Sequence, residues 1–275
     1  MPVHMCGSMA DLKQLRAICD EYDLILLEDA CQAIGGTFDN KPLGSYGDLG
    51  CFSFDYVKTI TCGEGGGIIT NNKQFAENAD QYQDHGHDHF GNDRGAEAHN
   101  NLGYNFRISE LNAAVGVAQL KKLDAILSHQ KKNYSFLKDS IKNIEGITFR
   151  KVPETGVENY SFLNIFLPSQ EIAENAHKAL VDSGVDACFY WFKNNWHYIN
   201  GWEHLKNSKS LGNISSEIKE ELDKLKHRDF SQSDFWMGRT ISFLVKIGWS
   251  DAELKSRTEN MKSVLNEILS KKHNQ

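Results

Sequence analysis

Leu26-Leu27-Glu28-Asp29-Ala30-Cys31-Gln32 and Ser53-Phe54-Asp55-Tyr56-Val57-Lys58-Thr59-Ile60-Thr61-Cys62-Gly63-Glu64-Gly65-Gly66-Gly67 are the two stretches that decide how this chain folds. Leu24–Leu27 is a continuous apolar run, as expected of a strand buried on both sides of a parallel sheet. Glu28 and Asp29 then fall just beyond its carboxyl end, where open α/β sheets bind their ligands. Taken alone, the fragment is equally explained by Asp29 or Gln32 capping a turn. Lys58 stands between an apolar strand and a glycine run, where backbone approaches a ligand closely. An ordinary surface lysine is the competing explanation.

Outward from these stretches the first half alternates helices and strands, the pattern of an α/β fold. Ser8 is placed to cap a helix over about Asp11–Tyr22, with Leu12, Leu15, Ile18 and Cys19 on one face. Cys51–Phe54 and Gly67–Thr70 read as strands, and Lys73–Gln83 as a helix. From Ile108 to about Ile144 an apolar face (Leu111, Ala114, Val115, Ala118, Leu120, Leu123, Ile126, Leu127) runs on, predicting one long helix between two domains. The division expected is a large domain over 1–128 and a small α+β domain over 129–275. The small domain is predicted to hold Ile147–Arg150, Tyr160–Leu167, a helix near Ile172–Asp182, a strand over Val185–Trp191 and a closing helix over Ser250–Leu269. Asn207–Ser233 reads as a solvated polar excursion with an amphipathic piece at Glu217–Lys226.

The 275 residues are 40% hydrophobic and 24% charged, enough for a substantial core. A net charge of −7 argues against nucleic acid or an anionic membrane as partner. No apolar run approaches the roughly 18 residues of a membrane helix, and no secretory leader is expected. The six cysteines form no C-x-x-C pair, as expected of reduced thiols in a cytoplasmic protein.

Together the two opening stretches resemble the DegT-type sugar aminotransferases, which carry E-D-A-x-Q followed by S-F-x(3)-K and G-E-G-G. The resemblance implies the fold of aspartate aminotransferase: a mostly parallel mixed sheet in the large domain, and a smaller α+β domain. It also implies pyridoxal 5'-phosphate as cofactor. Lys58 would join it as a Schiff base and move the proton as general acid/base; Asp29 would hold the pyridine nitrogen protonated. Gln32 would bond the ring hydroxyl, and Ser53 the phosphate. Related sugar 3-dehydratases have histidine where Lys58 stands, so lysine argues for amino transfer. His4, in Val3-His4-Met5-Cys6-Gly7, and His85-Gly86 match further family segments. So does Gly103-Tyr104-Asn105-Phe106-Arg107, which in the family reaches the neighbouring subunit's site. Asn105 is thus expected as a cofactor ligand across a homodimer. Capping of the following helix is the plainer role for Asn105 and Arg107.

The resemblance extends to one branch of the family through Asn92-Asp93-Arg94-Gly95-Ala96-Glu97, Phe189-Tyr190-Trp191, Asn194-Asn195-Trp196-His197-Tyr198 and Arg239-Thr240-Ile241-Ser242. That branch uses glutamate, released as 2-oxoglutarate, to aminate the free acidic sugar 8-oxo-3,8-dideoxy-manno-octulosonate for lipopolysaccharide. A nucleotide-linked 4-keto hexose is the alternative substrate. His4, His85, Arg94, Arg107, His197 and Arg239 are the candidate substrate residues. Asp84-His85-Gly86-His87-Asp88-His89 invites a metal reading, but it has no helical i, i+4 histidine pair and no second cluster. A substrate-covering loop is expected instead, and no metal. Family members are longer at the front by roughly a quarter to a third. The expectation for this polypeptide alone is therefore weak cofactor binding.

Overall fold

Asp11, rather than Ser8, caps the first helix in the computed structural model, which describes residues 1–270. Its carboxylate accepts the Gln14 N–H at 3.1 Å, while Ser8 is buried behind it. Helix α1 (Leu12–Glu21) leads to β1 (Leu27–Asp29). A short hairpin, β2 (Thr37–Phe38) and β3 (Lys41–Pro42), precedes β4 (Leu49–Ser53) and β5 (Gly66–Ile69). Helices α2 (Lys73–Gln83), α3 (Glu110–Leu120) and α4 (Leu123–Ile141) follow. β1 and β4 are parallel, with Asp29 opposite Cys51; β5 returns antiparallel to β4. Val3 bridges Asp29 in parallel on the far side of β1.

Two sequence expectations are corrected here. The strand lies two or three residues further on than the apolar run, and Leu24 and Ile25 are exposed. The Leu24 N–H is still spent closing α1 on the Cys19 carbonyl. The single helix over 108–144 is two helices. At Lys121–Lys122 the Lys122 N–H bonds Gln119 O, a tighter i−3 contact that ends α3 without glycine or proline.

The chain divides into two compact units. The first comprises Met1–Tyr134, Lys151–Ser161 and Val245–Ile247. The second comprises Ser135–Arg150, Phe162–Leu244 and the chain from Gly248 on. The first unit's core gathers Met9, Leu12, Ala30, Ala33, Phe38 and Leu43, with Phe52 and Val152 packed against them. The second unit contains β6 (Thr148–Phe149), and β7 (Gly156–Val157) pairs with β2 in the first. The second unit continues with β8 (Phe162–Phe166), α5 (Gln170–Asp182), β9 (Cys188–Phe189), α6 (Glu203–Lys206), α7 (Ser216–Lys226), α8 (Ser231–Met237), β10 (Thr240–Leu244) and α9 (Asp251–Ser270). Its antiparallel sheet runs β6-β8-β10-β9. α5 and α9 pack on each other, and Leu163, Ile165, Ala173, Leu180, Ile241, Phe243, Met261 and Leu265 are buried. Each large side chain so buried contributes about 1.5–3 kcal/mol. The expected excursion over Asn207–Ser233 is mostly exposed, and about half of it is helical, carrying all of α7 and the start of α8. Among the described residues no helix is long and apolar enough to cross a membrane.

Candidate active site

The period-two alternation of β1 sends its two acids to opposite sides. Glu28 is fully buried, whereas Asp29 is half-buried at the strand's carboxyl end. The Glu28 carboxylate accepts four hydrogen bonds, from His4 Nε2 (2.9 Å) and from the N–H groups of Gly44 (3.0 Å), Tyr46 (2.7 Å) and Gly47 (2.7 Å). Burial works to raise the Glu28 carboxyl, but the His4 bond and the Gly47 and Gly44 N–H groups outweigh it and hold it below its ordinary value. Sequence reasoning noticed two acids here and missed this anchoring role. His4, expected at the substrate, is corrected by the same geometry. It is wholly buried, and it supports the β1 end through Glu28 and through its own N–H on the Asp29 carbonyl (2.9 Å).

Asp29 Oδ1 accepts the Cys31 N–H at 3.1 Å. Gln32 Oε1 accepts the Cys6 N–H at 2.8 Å. With its carbonyl so committed, the Gln32 side chain offers its NH2 as a donor. Ser53 ends β4, and its hydroxyl oxygen accepts the Asp55 N–H at 3.4 Å, leaving the hydroxyl proton to donate. The Asp55 side chain takes the Val57 N–H (2.8 Å) and its carbonyl takes the Lys58 N–H (3.2 Å). This turn presents Lys58, whose Nζ lies 3.7 Å from Asp55 Oδ2 with the side chain 17% exposed. The loop is closed at its base by Cys62 N–H to Phe54 O (2.9 Å) and Phe54 N–H to Gly65 O (2.8 Å).

Burial, the Asp29 hydrogen bond and the Asp29 charge push the Cys31 thiol up to about 12, against an opposing pull from the Lys58 charge. Asp29 ends β1, and Lys58 follows the end of the parallel β4 by five residues. The protonated thiol is no nucleophile.

A second cluster centres on Asp84, also missed from sequence, whose side chain is 5% exposed. Arg94 Nη2 donates to both of its oxygens at 2.7 Å, and Arg107 Nη1 pairs with Oδ1. His85 Nδ1 (3.0 Å) and His89 Nε2 (3.2 Å) complete the set. Burial raises the Asp84 carboxyl, but the His85 and His89 bonds and the two arginine charges outweigh it and hold it far below its ordinary value. Arg94, Arg107 and His85, all expected at a substrate, are thus gathered on an internal carboxylate. Asn105 is exposed and bridges Asp84 through the backbone. His197 and Arg239 belong to the second unit. There His197 meets Trp191 edge-on at 5.0 Å, and Arg239 donates through Nε to Leu167 O (2.7 Å) over the Phe235 ring.

The model of the DegT/DnrJ/EryC1/StrS aminotransferase family matches residues 1–229. The chain belongs to this family. Pyridoxal phosphate is the family's cofactor. Among relatives of this DegT-family chain, the lipopolysaccharide biosynthesis protein RfbH of Salmonella typhimurium is 31% identical over 56% of the chain and 40% of that protein. GDP-perosamine synthase of Vibrio cholerae is 37% identical over 46% of the chain and 34% of that protein. The chain thus spans half or less of these relatives' length. The crystal structure of the aminotransferase TlmJ from Streptoalloteichus hindustanus shares the fold with a TM-score of 0.75 at 18% identity, covering 97% of this chain and 65% of that one. The donor types of this DegT-family chain suit the cofactor: Asp29 ends β1, Gln32 has its NH2 left to donate, Ser53 ends the parallel β4 with a hydroxyl proton to donate, and Lys58 supplies an amine.

Proposed function

We propose that the chain carries the lysine half of an aminotransferase site that moves an amino group from glutamate to an oxo-sugar. The observation that supports this is the placing of the motif residues: Asp29 ends β1, and Ser53 ends the parallel β4 with Lys58 five residues further on. The bound pyridoxal phosphate would supply an electron sink for the carbon that loses its proton. Asp29 would hold the pyridine nitrogen protonated, and Gln32 would donate its amide to the ring oxygen. Ser53 would donate its hydroxyl to the phosphate. Lys58 would serve as the general acid/base that moves the proton. Asn105 is offered, with the exposed Tyr104 and Phe106, to a second copy of the chain.

For the sugar, a nucleotide-linked keto-hexose is favoured over the free octulosonate. A relative is named for a GDP-linked sugar, and two of the cations expected at a free carboxylate, Arg94 and Arg107, share the Asp84 carboxylate instead. In the test, the chain is mixed with pyridoxal phosphate, reduced with borohydride and digested. The pyridoxyl mass is expected on the Lys58 peptide and absent from Lys58→Ala. Amino transfer from glutamate is then compared between a 4-keto nucleotide sugar and the 8-oxo octulosonate. Label on other lysines in equal yield would sink the proposal, and turnover of the octulosonate alone would reverse the sugar preference.

A further inference from the structure

The histidine loop folds back on itself in a way that supplies the second cluster missing from the linear sequence. His87 bridges His99 in antiparallel register, held by Asp88 N–H to Ala98 O (3.1 Å) and Asn100 N–H to Gly86 O (3.2 Å). The His87 and His99 rings stand 4.2 Å apart between centroids. Glu97 comes in on the same returning strand, its side chain 9% exposed, and sets Oε2 2.9 Å from His87 Nδ1. Neither atom has a hydrogen-bond partner: the pair is close but not aligned as donor and acceptor. Two buried lone-pair atoms in that relation are spaced as neighbouring ligands of one cation.

The remaining imidazoles sort themselves by their partners. His99 Nδ1 lies 2.9 Å from the His85 carbonyl, which can only accept, so its Nε2 carries the lone pair. His85 Nδ1 faces Asp84 Oδ1 at 3.0 Å, the carboxylate–histidine arrangement that orients metal-binding imidazoles, again leaving Nε2. One ligand atom each of Asp84, His85 and His87 lie within 4.8 Å of one another, and the exposed His85 ring can turn toward His87. His89 is bonded through both nitrogens to carboxylates, Asp80 at 2.6 Å and Asp84 at 3.2 Å, and has no lone pair to give. Asp84 is taken up by Arg94 and Arg107.

We propose that His85, His87, Glu97 and His99 form a binding site for a divalent transition cation of the zinc class. Three imidazoles and one carboxylate suit zinc, and they disfavour magnesium or calcium, which require oxygen donors. The cation would fasten the two sides of the loop that carries Arg94. This is independent of the chemistry at Lys58, and it contradicts the expectation that the loop binds no metal.

The test titrates the purified full chain, stripped with EDTA, with zinc in a calorimeter. One equivalent is expected to bind. Glu97→Gln, nearly isosteric, and His99→Ala, at an exposed position, are each expected to weaken binding at least about tenfold with the circular dichroism spectrum unchanged. His89→Ala is expected to bind within about threefold of wild type. Absence of a one-equivalent transition in the wild-type chain overturns the proposal. So does full-strength binding in both Glu97→Gln and His99→Ala, or a loss confined to His89→Ala.

Discussion

Replacing Glu28 with glutamine removes a charge that four donors are built around. One amide oxygen survives to accept two of the four bonds. The other position becomes an NH2 facing either the Tyr46 and Gly47 N–H groups or His4 Nε2 and the Gly44 N–H. Two bonds to a charged acceptor, at about 1.5–3 kcal/mol each, give about 3–6 kcal/mol. Local relaxation brings this toward the about 3–5 kcal/mol found when one partner of a buried pair is removed. Against a total stability of about 5–15 kcal/mol the loss is large. Urea unfolding at neutral pH, followed by far-ultraviolet circular dichroism, is expected to show a lower midpoint with an unchanged slope. The sign of the pH effect follows from the lowered carboxyl. Its stabilisation is complete above the ordinary carboxylate value and is lost as pH falls through the lowered folded value, so the gap between wild type and Glu28→Gln narrows in acid. A neutral-pH difference under about 0.5 kcal/mol, or a gap that acid leaves untouched, would refute the anchoring role.

Asp84→Asn should release Arg94 and Arg107. Amide exchange across residues 85–106 is expected to quicken at least about tenfold by mass spectrometry, and unchanged protection would count against the hub. His89 is raised first by its Asp80 bond and then by Asp84. Its contribution is present below the ordinary histidine value and lost as pH climbs through the raised folded one, so protection of the loop should decline on that rise. Gly50→Ala places a methyl group 1.8 Å from the Gly44 carbonyl oxygen, a backbone atom with no rotamer to yield. A cost at or above the top of the about 1–3 kcal/mol range for overpacking is expected, and an alanine variant with wild-type melting would refute the contact.

What was legible in the sequence was local. Lys73–Gln83 was placed correctly because Asn72 caps it on the Phe75 N–H and no glycine interrupts it. Asp29, Gln32, Ser53 and Lys58 are legible as motif positions because Asp29 and Ser53 end strands and the other two follow within five residues. The break at Lys121–Lys122 carries no glycine or proline to announce it. The role of Asp84 is not legible, since its arginine partners stand ten and twenty-three positions away. His99 and Glu97 join His87 only through strand pairing across a loop, which periodicity does not encode.

Asn159 binds the carbonyls of Gln32 and Ile34 through its side chain at 3.0 and 3.1 Å, and donates its N–H to Gly7 O at 3.0 Å. The first of these contacts spans 127 positions. During synthesis, residues 28–67 therefore emerge long before the segment that braces them. Closing so long a loop is entropically slow to be rewarded, which places completion of this region late on the folding pathway. Until residue 159 arrives, the backbone behind Gln32 has unpaired carbonyls and an unfixed course. The nascent chain must carry the lysine site in an unfinished form until the Asn159 segment is made.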